Sequence, residues 1–230
     1  MIGIIAAMQS ELDIIRSSLC DVKTEKRGGI LFYKGQYKGV KVVCAVCGIG
    51  KVFAAMCTEA MIIRYKPDVI VNTGVAGALS DKLHRLDCTI AKRCVQHDMD
   101  TSALGDPVGM VSGVNKIYFE SDERASSLLF SCYKKKPKFC TIASGDAFIS
   151  DSEKKNMIKE KFGADVCDME SAAIAQVCYV CGVPFVISRV ISDGADEDAD
   201  MDFGKLCKKA ADMSGKAVLG FIERFGETDA

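Results

Sequence analysis

The amino-acid sequence predicts an α/β fold, a three-layer sandwich in which helices flank a mixed central sheet. Three observations carry that expectation. Short β-branched runs alternate along the chain with segments of helical periodicity. Several runs are apolar without alternation, as strands covered on both faces are. Two runs are joined by Gly35-Gln36-Tyr37-Lys38-Gly39, a turn-forming segment that signals a hairpin and so an antiparallel component.

The elements follow in order. Ile2–Ala6 reads as a buried strand rather than a secretory signal, because it lacks a basic leader and meets Glu11 and Asp13 at once. Helical spacing follows over residues 10–19. Residues 31–34 and Val40–Val46 form the hairpin, and residues 52–65 the next helix. Further strands are expected at 69–72, 89–92, 139–143, 165–167 and 185–191, and further helices at 152–162, 170–181 and 203–225. The uncharged stretch 171–188 approaches membrane-spanning length, but Gly182-Val183-Pro184 divides it into helix, turn and buried strand.

The composition narrows the function. A chain of 230 residues with 49% apolar content is expected to form one domain, residues 1–230, with a full core. Lys+Arg 30 against Asp+Glu 31 argues against an extended nucleic-acid or anionic-membrane surface. The one basic knot, Lys134-Lys135-Lys136-Pro137-Lys138, reads as a solvated loop. Twelve cysteines in a chain of this size without a leader point to free thiols and a reducing cytoplasm.

Several tempting motifs fail. Gly48-Ile49-Gly50-Lys51 lacks the Walker partners, with Ala45 and Val52 in their places, and Phe53 spoils a dinucleotide pattern. Cys44-x-x-Cys47 and Cys178-x-x-Cys181 have zinc-like spacing but fall on a buried strand end and an apolar helix, so no metal is expected. His84 and His97 are the only histidines; neither an H-E-x-x-H nor a G-x-S-x-G motif occurs. The stretch 193–202 carries six carboxylates, fails as a calcium loop at Phe203 and Lys209, and reads as a solvated loop. Asp193 is the exception, since it directly follows an apolar strand where a carboxylate is poorly hydrated.

In open α/β sheets ligands sit beyond the carboxyl ends of the strands. If the strands here end on one rim, Glu11, Glu170 and Asp193 converge on it. The ordinary readings are a helix N-terminal acid for Glu11 and core contacts for Phe148 and Met169.

Six segments in order carry a resemblance: Gly3-Ile4-Ile5-Ala6-Ala7-Met8 with Glu11, Gly48-Ile49-Gly50-Lys51, Asn72-Thr73-Gly74-Val75-Ala76-Gly77, Ser144-Gly145-Asp146-Ala147-Phe148-Ile149, Asp168-Met169-Glu170, and Arg189-Val190-Ile191-Ser192-Asp193. Together they resemble the nucleoside phosphorylase/hydrolase superfamily, and within it the 5′-methylthioadenosine/S-adenosylhomocysteine nucleosidases, from Ile2 to about Phe225. The resemblance implies hydrolysis of the N-glycosidic bond of those two nucleosides, without a cofactor, by a homodimer, and leaves related adenine nucleosides such as 5′-deoxyadenosine or aminofutalosine types open as further substrates. It casts Asp193 as the acid protonating adenine N7 and Glu11 as the base activating water. Glu170 would bind the ribose hydroxyls, Met169 would pack on the sugar, Phe148 would stack on adenine, and the Ile149 backbone would read its edge. Gly77 would line the ribose side, while Arg189 and Ser192 would support the water and Asp193. The chain departs from the family pattern at Val75, where serine is frequent, at Asp168, and at Leu104, in a segment that reaches a neighbouring subunit's 5′-pocket. The alternatives are a purine nucleoside phosphorylase using phosphate, a non-catalytic nucleoside-binding module, and a cysteine-based metal or redox protein.

Overall fold

A computed structural model describes residues 1–195 and 203–228 of the chain. The strands are β1 (Ile2–Ala6), β2 (Cys20–Arg27), β3 (Ile30–Tyr37), β4 (Val40–Val46), β5 (Val69–Ala78), β6 (Cys88–Gln96), β7 (Phe119–Glu120), β8 (Lys138–Ser144), β9 (Val166–Asp168) and β10 (Phe185–Asp193). The helices are α1 (Gln9–Ser18), α2 (Lys51–Tyr65), α3 (Glu123–Cys132), α4 (Ser152–Phe162), α5 (Ser171–Cys181) and α6 (Phe203–Thr228), with a single 3₁₀ turn at Ser102–Leu104.

All ten strands join one sheet, and it is mixed as expected. β1 lies parallel between β4 and β5, while β3 pairs antiparallel with both β4 and β2 at one end. At the other end the sheet closes on itself. β5 pairs parallel with β10, β10 antiparallel with β6, β6 parallel with β8, β8 parallel with β9, and β9 antiparallel with the end of β5. The open-rim picture therefore needs a correction. β8 and β9 run against β5 and β10, so these strands share no single carboxyl rim. Ring closure instead lays Cys167 opposite Gly77 and brings the end of β9 beside β5.

Alternation within each strand sends side chains to both covered faces. In β1, Ile5 packs under α2 and α5, while Ile2, Ile4 and Ala6 pack against the α1, α3 and α6 side. β5 and β10 divide likewise, with Ile70 and Ile187 on the first face and Val71 and Val186 on the second. Fully burying each such side chain contributes ~1.5–3 kcal/mol, so these runs are accounted for by packing alone. The stretch 171–188 forms α5, a turn at Gly182 and the start of β10, and among the described residues no helix is long and apolar enough to cross a membrane.

Other expectations meet the structure with adjustments. The hairpin turn is only Lys38-Gly39, because Gly35, Gln36 and Tyr37 pair within β3. In the lysine knot Lys134, Lys135 and Lys136 are exposed loop residues, but Pro137 is buried and Lys138 opens β8, and Lys135 and Lys138 reach the buried Asp87 at 2.6 and 3.2 Å. Of the two cysteine pairs, Cys44 packs on the α1/α6 face and Cys47 and Cys178 on the α2/α5 face, while Cys181 is exposed. Residues 196–202 of the acidic stretch lie outside the described residues.

Candidate active site

A cavity of about 200 Å³ opens where the closed part of the sheet meets α1 and α5. Glu11, Glu170 and Asp193 all line it, together with Gly77, Phe148, Ile149, Met169 and Ser192. Eight of the nine residues singled out by sequence thus come together. The ninth, Arg189, lies outside the lining, although the resemblance expected it beside the water.

Glu11 sits in the first turn of α1 and is buried. Its Oε2 accepts from the Ala7 and Met8 N–H groups at 3.0 and 2.9 Å, so it caps the helix as an ordinary N-terminal acid does. Its Oε1 accepts from Val75 N–H at 2.9 Å, which ties α1 to β5 across the cavity. Burial raises its proton affinity above that of an ordinary glutamate, against the pull of Arg189 and the three N–H donors. A carboxylate of raised basicity is a better proton acceptor near neutrality.

Asp193 is presented by a β-bulge. The register of β10 against β5 slips between Ile191 and Asp193, which turns the carboxyl toward Gly77. Its Oδ2 accepts from Ser192 Oγ at 2.6 Å and its Oδ1 from Ala195 N–H at 2.9 Å. A Cβ on Gly77 would lie 2.9 Å from Asp193 Oδ1 and 3.1 Å from Cys167 Sγ. Only a bare backbone fits.

Glu170 precedes α5 and accepts from Gly50 N–H at 2.9 Å. Burial, the neighbouring Asp168 and, less strongly, Glu11 push its pKa up to about 7, while the Gly50 N–H and Arg189 oppose them. Beneath the cavity Arg189 is buried and paired with Asp168 at 2.8 Å. The guanidinium also donates to Asn72 Oδ1 at 2.5 Å and to Ser188 O at 3.0 Å. Ser144 and Ser171 donate to the same Asp168 carboxylate. Arg189 is thus committed to the frame, and it acts on Glu11 and Glu170 through its charge.

Phe148 lines the cavity and is 48% exposed, while Ile149 beside it is buried. Met8, Ile49 and Cys167 also line the cavity without having been singled out. The first two stand in strand-ending segments, so their position was the available signal; Cys167 is revealed only by the pairing of β9 with Gly77. Four carboxylates line this small cavity, Glu11, Asp168, Glu170 and Asp193, and with only Asp168 paired to a cation they suit a reaction in which positive charge develops on a bound molecule.

Comparison with known proteins gives the same answer from another direction. The phosphorylase superfamily profile matches residues 1–223. A 5′-methylthioadenosine/S-adenosylhomocysteine nucleosidase of Staphylococcus carnosus is 37% identical over 227 residues, spanning 97% of this chain and 99% of the relative. This chain belongs to that nucleosidase family, within the phosphorylase superfamily. Family members of known structure superimpose closely. A Helicobacter pylori nucleosidase variant with 5′-methylthioadenosine in the active site matches with a TM-score of 0.92 at 32% identity, covering 97% of this chain and 98% of the other. A structure described as futalosine hydrolase, also from Helicobacter pylori, matches with a TM-score of 0.92 at 34% identity, covering 97% of each chain.

Proposed function

We propose that the protein hydrolyses the N-glycosidic bond of 5′-methylthioadenosine and S-adenosylhomocysteine, and of 5′-deoxyadenosine, releasing adenine and the 5-substituted ribose. The observation that carries this reading is the convergence of Glu11, Glu170 and Asp193 on one cavity. Asp193 gives its proton to adenine N7, so the base departs neutral as the C1′–N9 bond breaks. Glu11 takes a proton from the water that attacks C1′, and solvent returns that proton to Asp193. Glu170 binds the ribose hydroxyls and, with Glu11, offsets the positive charge that builds on the sugar. Phe148 stacks on adenine, the Ile149 backbone reads its edge, and Met169 packs on the ribose. Gly77 leaves room for Asp193, Ser192 orients it, and Arg189 holds the frame from below.

Water rather than phosphate is the nucleophile. Among the described residues lining the cavity none is cationic, so nothing there offsets the charge of a phosphate dianion, and an ionised Glu11 would repel it. Adenine release from methylthioadenosine in phosphate-free buffer tests this directly; release that requires phosphate and yields a ribose phosphate would establish the phosphorylase instead. Asp193→Asn is expected to retain nucleoside binding while kcat drops ~10²–10⁴-fold, because an amide is not a Brønsted acid at neutral pH. A rate near that of the unmodified enzyme would remove Asp193 from the mechanism.

The chain works as one domain, in the cytoplasm, as a homodimer. Twelve free thiols support the reducing compartment. Leu104, 84% exposed, and the apolar outer face of α2 at Val52, Phe53, Met56 and Ile63 support a partner surface. Light scattering should give twice the chain mass.

A further inference from the structure

A circuit of charge-assisted hydrogen bonds joins three loops around the cavity without itself lining it. Lys51, the first residue of α2, donates its backbone N–H to Asp146 Oδ1 at 2.8 Å. Its ammonium donates to Asp98 Oδ1 at 2.6 Å and to Gln96 Oε1 at 3.0 Å. Asp98 Oδ2 accepts from Asp146 N–H at 3.0 Å, which closes the circuit. Lys51 begins α2 just after the loop that follows β4, Asp98 follows β6, and Asp146 follows β8.

Two outputs of this circuit reach the site. The residue before Lys51 is Gly50, whose N–H holds Glu170 Oε1 at 2.9 Å. The residues after Asp146 are Ala147, Phe148 and Ile149, which line the cavity. A further strand of the network runs from Gln96 to Gln176 on α5, the helix that Glu170 precedes. The Lys51 and Asp98 side chains are only 17% and 33% exposed, and their ion pair ties the loop after β6 to the start of α2. Its consequence is geometric.

We propose that Asp98, with Lys51 and Asp146, is a positioning residue that aims the Gly50 N–H at Glu170 and so fixes that carboxylate against the ribose. This rests on the reading of Glu170 as the group that binds the sugar hydroxyls. Asp98 touches no substrate atom; it sets where Glu170 stands.

The test is a mutant cycle read as kcat/KM for methylthioadenosine, using Asp98→Ala, Lys51→Met and Glu170→Gln singly and each of the first two combined with the third. Lys51→Met keeps the backbone N–H to Asp146 and serves if Asp98→Ala folds poorly. The expected result is a loss of about tenfold for Asp98→Ala or Lys51→Met alone, shrinking to less than about twofold on the Glu170→Gln background. An equal loss on both backgrounds, or no loss in either single variant while Glu170→Gln is impaired, overturns the proposal. A fully active Glu170→Gln enzyme would instead refute the sugar-binding reading, and this inference with it.

Discussion

Two glycines decide where the carboxylates of Glu11 and Asp193 stand. A Cβ on Gly74 would lie 2.7 Å from Glu11 Oε1 and 3.2 Å from Glu11 Cδ. That carboxylate cannot withdraw cheaply, since three backbone N–H groups hold it. Gly74→Ala is therefore expected to displace Glu11 and lower kcat/KM by at least about tenfold, given what an ångström of misplacement costs. The same substitution on a Glu11→Gln background should add much less, and steady-state assays of the four forms measure the difference. Gly77→Ala meets Asp193, Ala195 and Cys167 within 2.9–3.1 Å, in a site with no slack. It should lose ~1–3 kcal/mol of stability as overpacking does, along with activity; a urea midpoint matching that of the unmodified protein would show that the bulge relaxes freely. The sequence displayed both glycines within a strand-ending segment. Their necessity became visible only with the carboxylates in place.

At the scale of elements, legibility followed hydrophobic signal. The strands of the buried sheet and the helices α1, α2, α5 and α6 are readable from their apolar residues, while α4, which buries only Ile158 and Phe162, is readable from its helix-forming residues after the Asp151 cap. β2 is not, for its Cys20–Arg27 run is almost wholly exposed and holds by pairing with β3. α3 is poor in strong helix formers, with serines at 126, 127 and 131, and it is started by Asp122, which accepts from Ala125 N–H at 2.7 Å. Closure of the sheet was out of reach, since it depends on β5 running six residues past its expected end to meet β9. Arg189 marks that closure: it sits on β10 and binds Asp168 from β9 and Asn72 from β5. Arg189→Met leaves a buried carboxylate unpaired and is expected to cost ~3–5 kcal/mol. Adding Asp168→Asn removes the stranded charge and should restore part of that loss in denaturant unfolding. A double variant no more stable than Arg189→Met would mean that the arginine matters for packing rather than for charge.

At the scale of the whole molecule, the site trades stability for function, and pH exposes the trade. Glu170 has a folded pKa of about 7 against 4.5 when solvated, so between those values the native state holds a proton that the unfolded chain has released. The native state binds more protons there, hence stability rises as pH falls from 7 toward 4.5 and is lost as pH climbs back through 7. Glu11, also raised, pushes in the same direction. His97, whose burial lowers its pKa, opposes them below its ordinary value of 6.5, while Asp87 and Glu25, both held near 2, titrate only in stronger acid. A comparison with Glu170→Gln isolates the one group. Glutamine stays neutral at every pH, so the variant should gain stability relative to the parent at pH 8, and this advantage should shrink by on the order of 3 kcal/mol by pH 4.5. Chemical denaturation of the ligand-free pair at several pH values gives the difference curve. A flat curve between pH 5 and 8 would mean that Glu170 ionises in the native state as it does in water, and that the cavity imposes no such cost on its carboxylate.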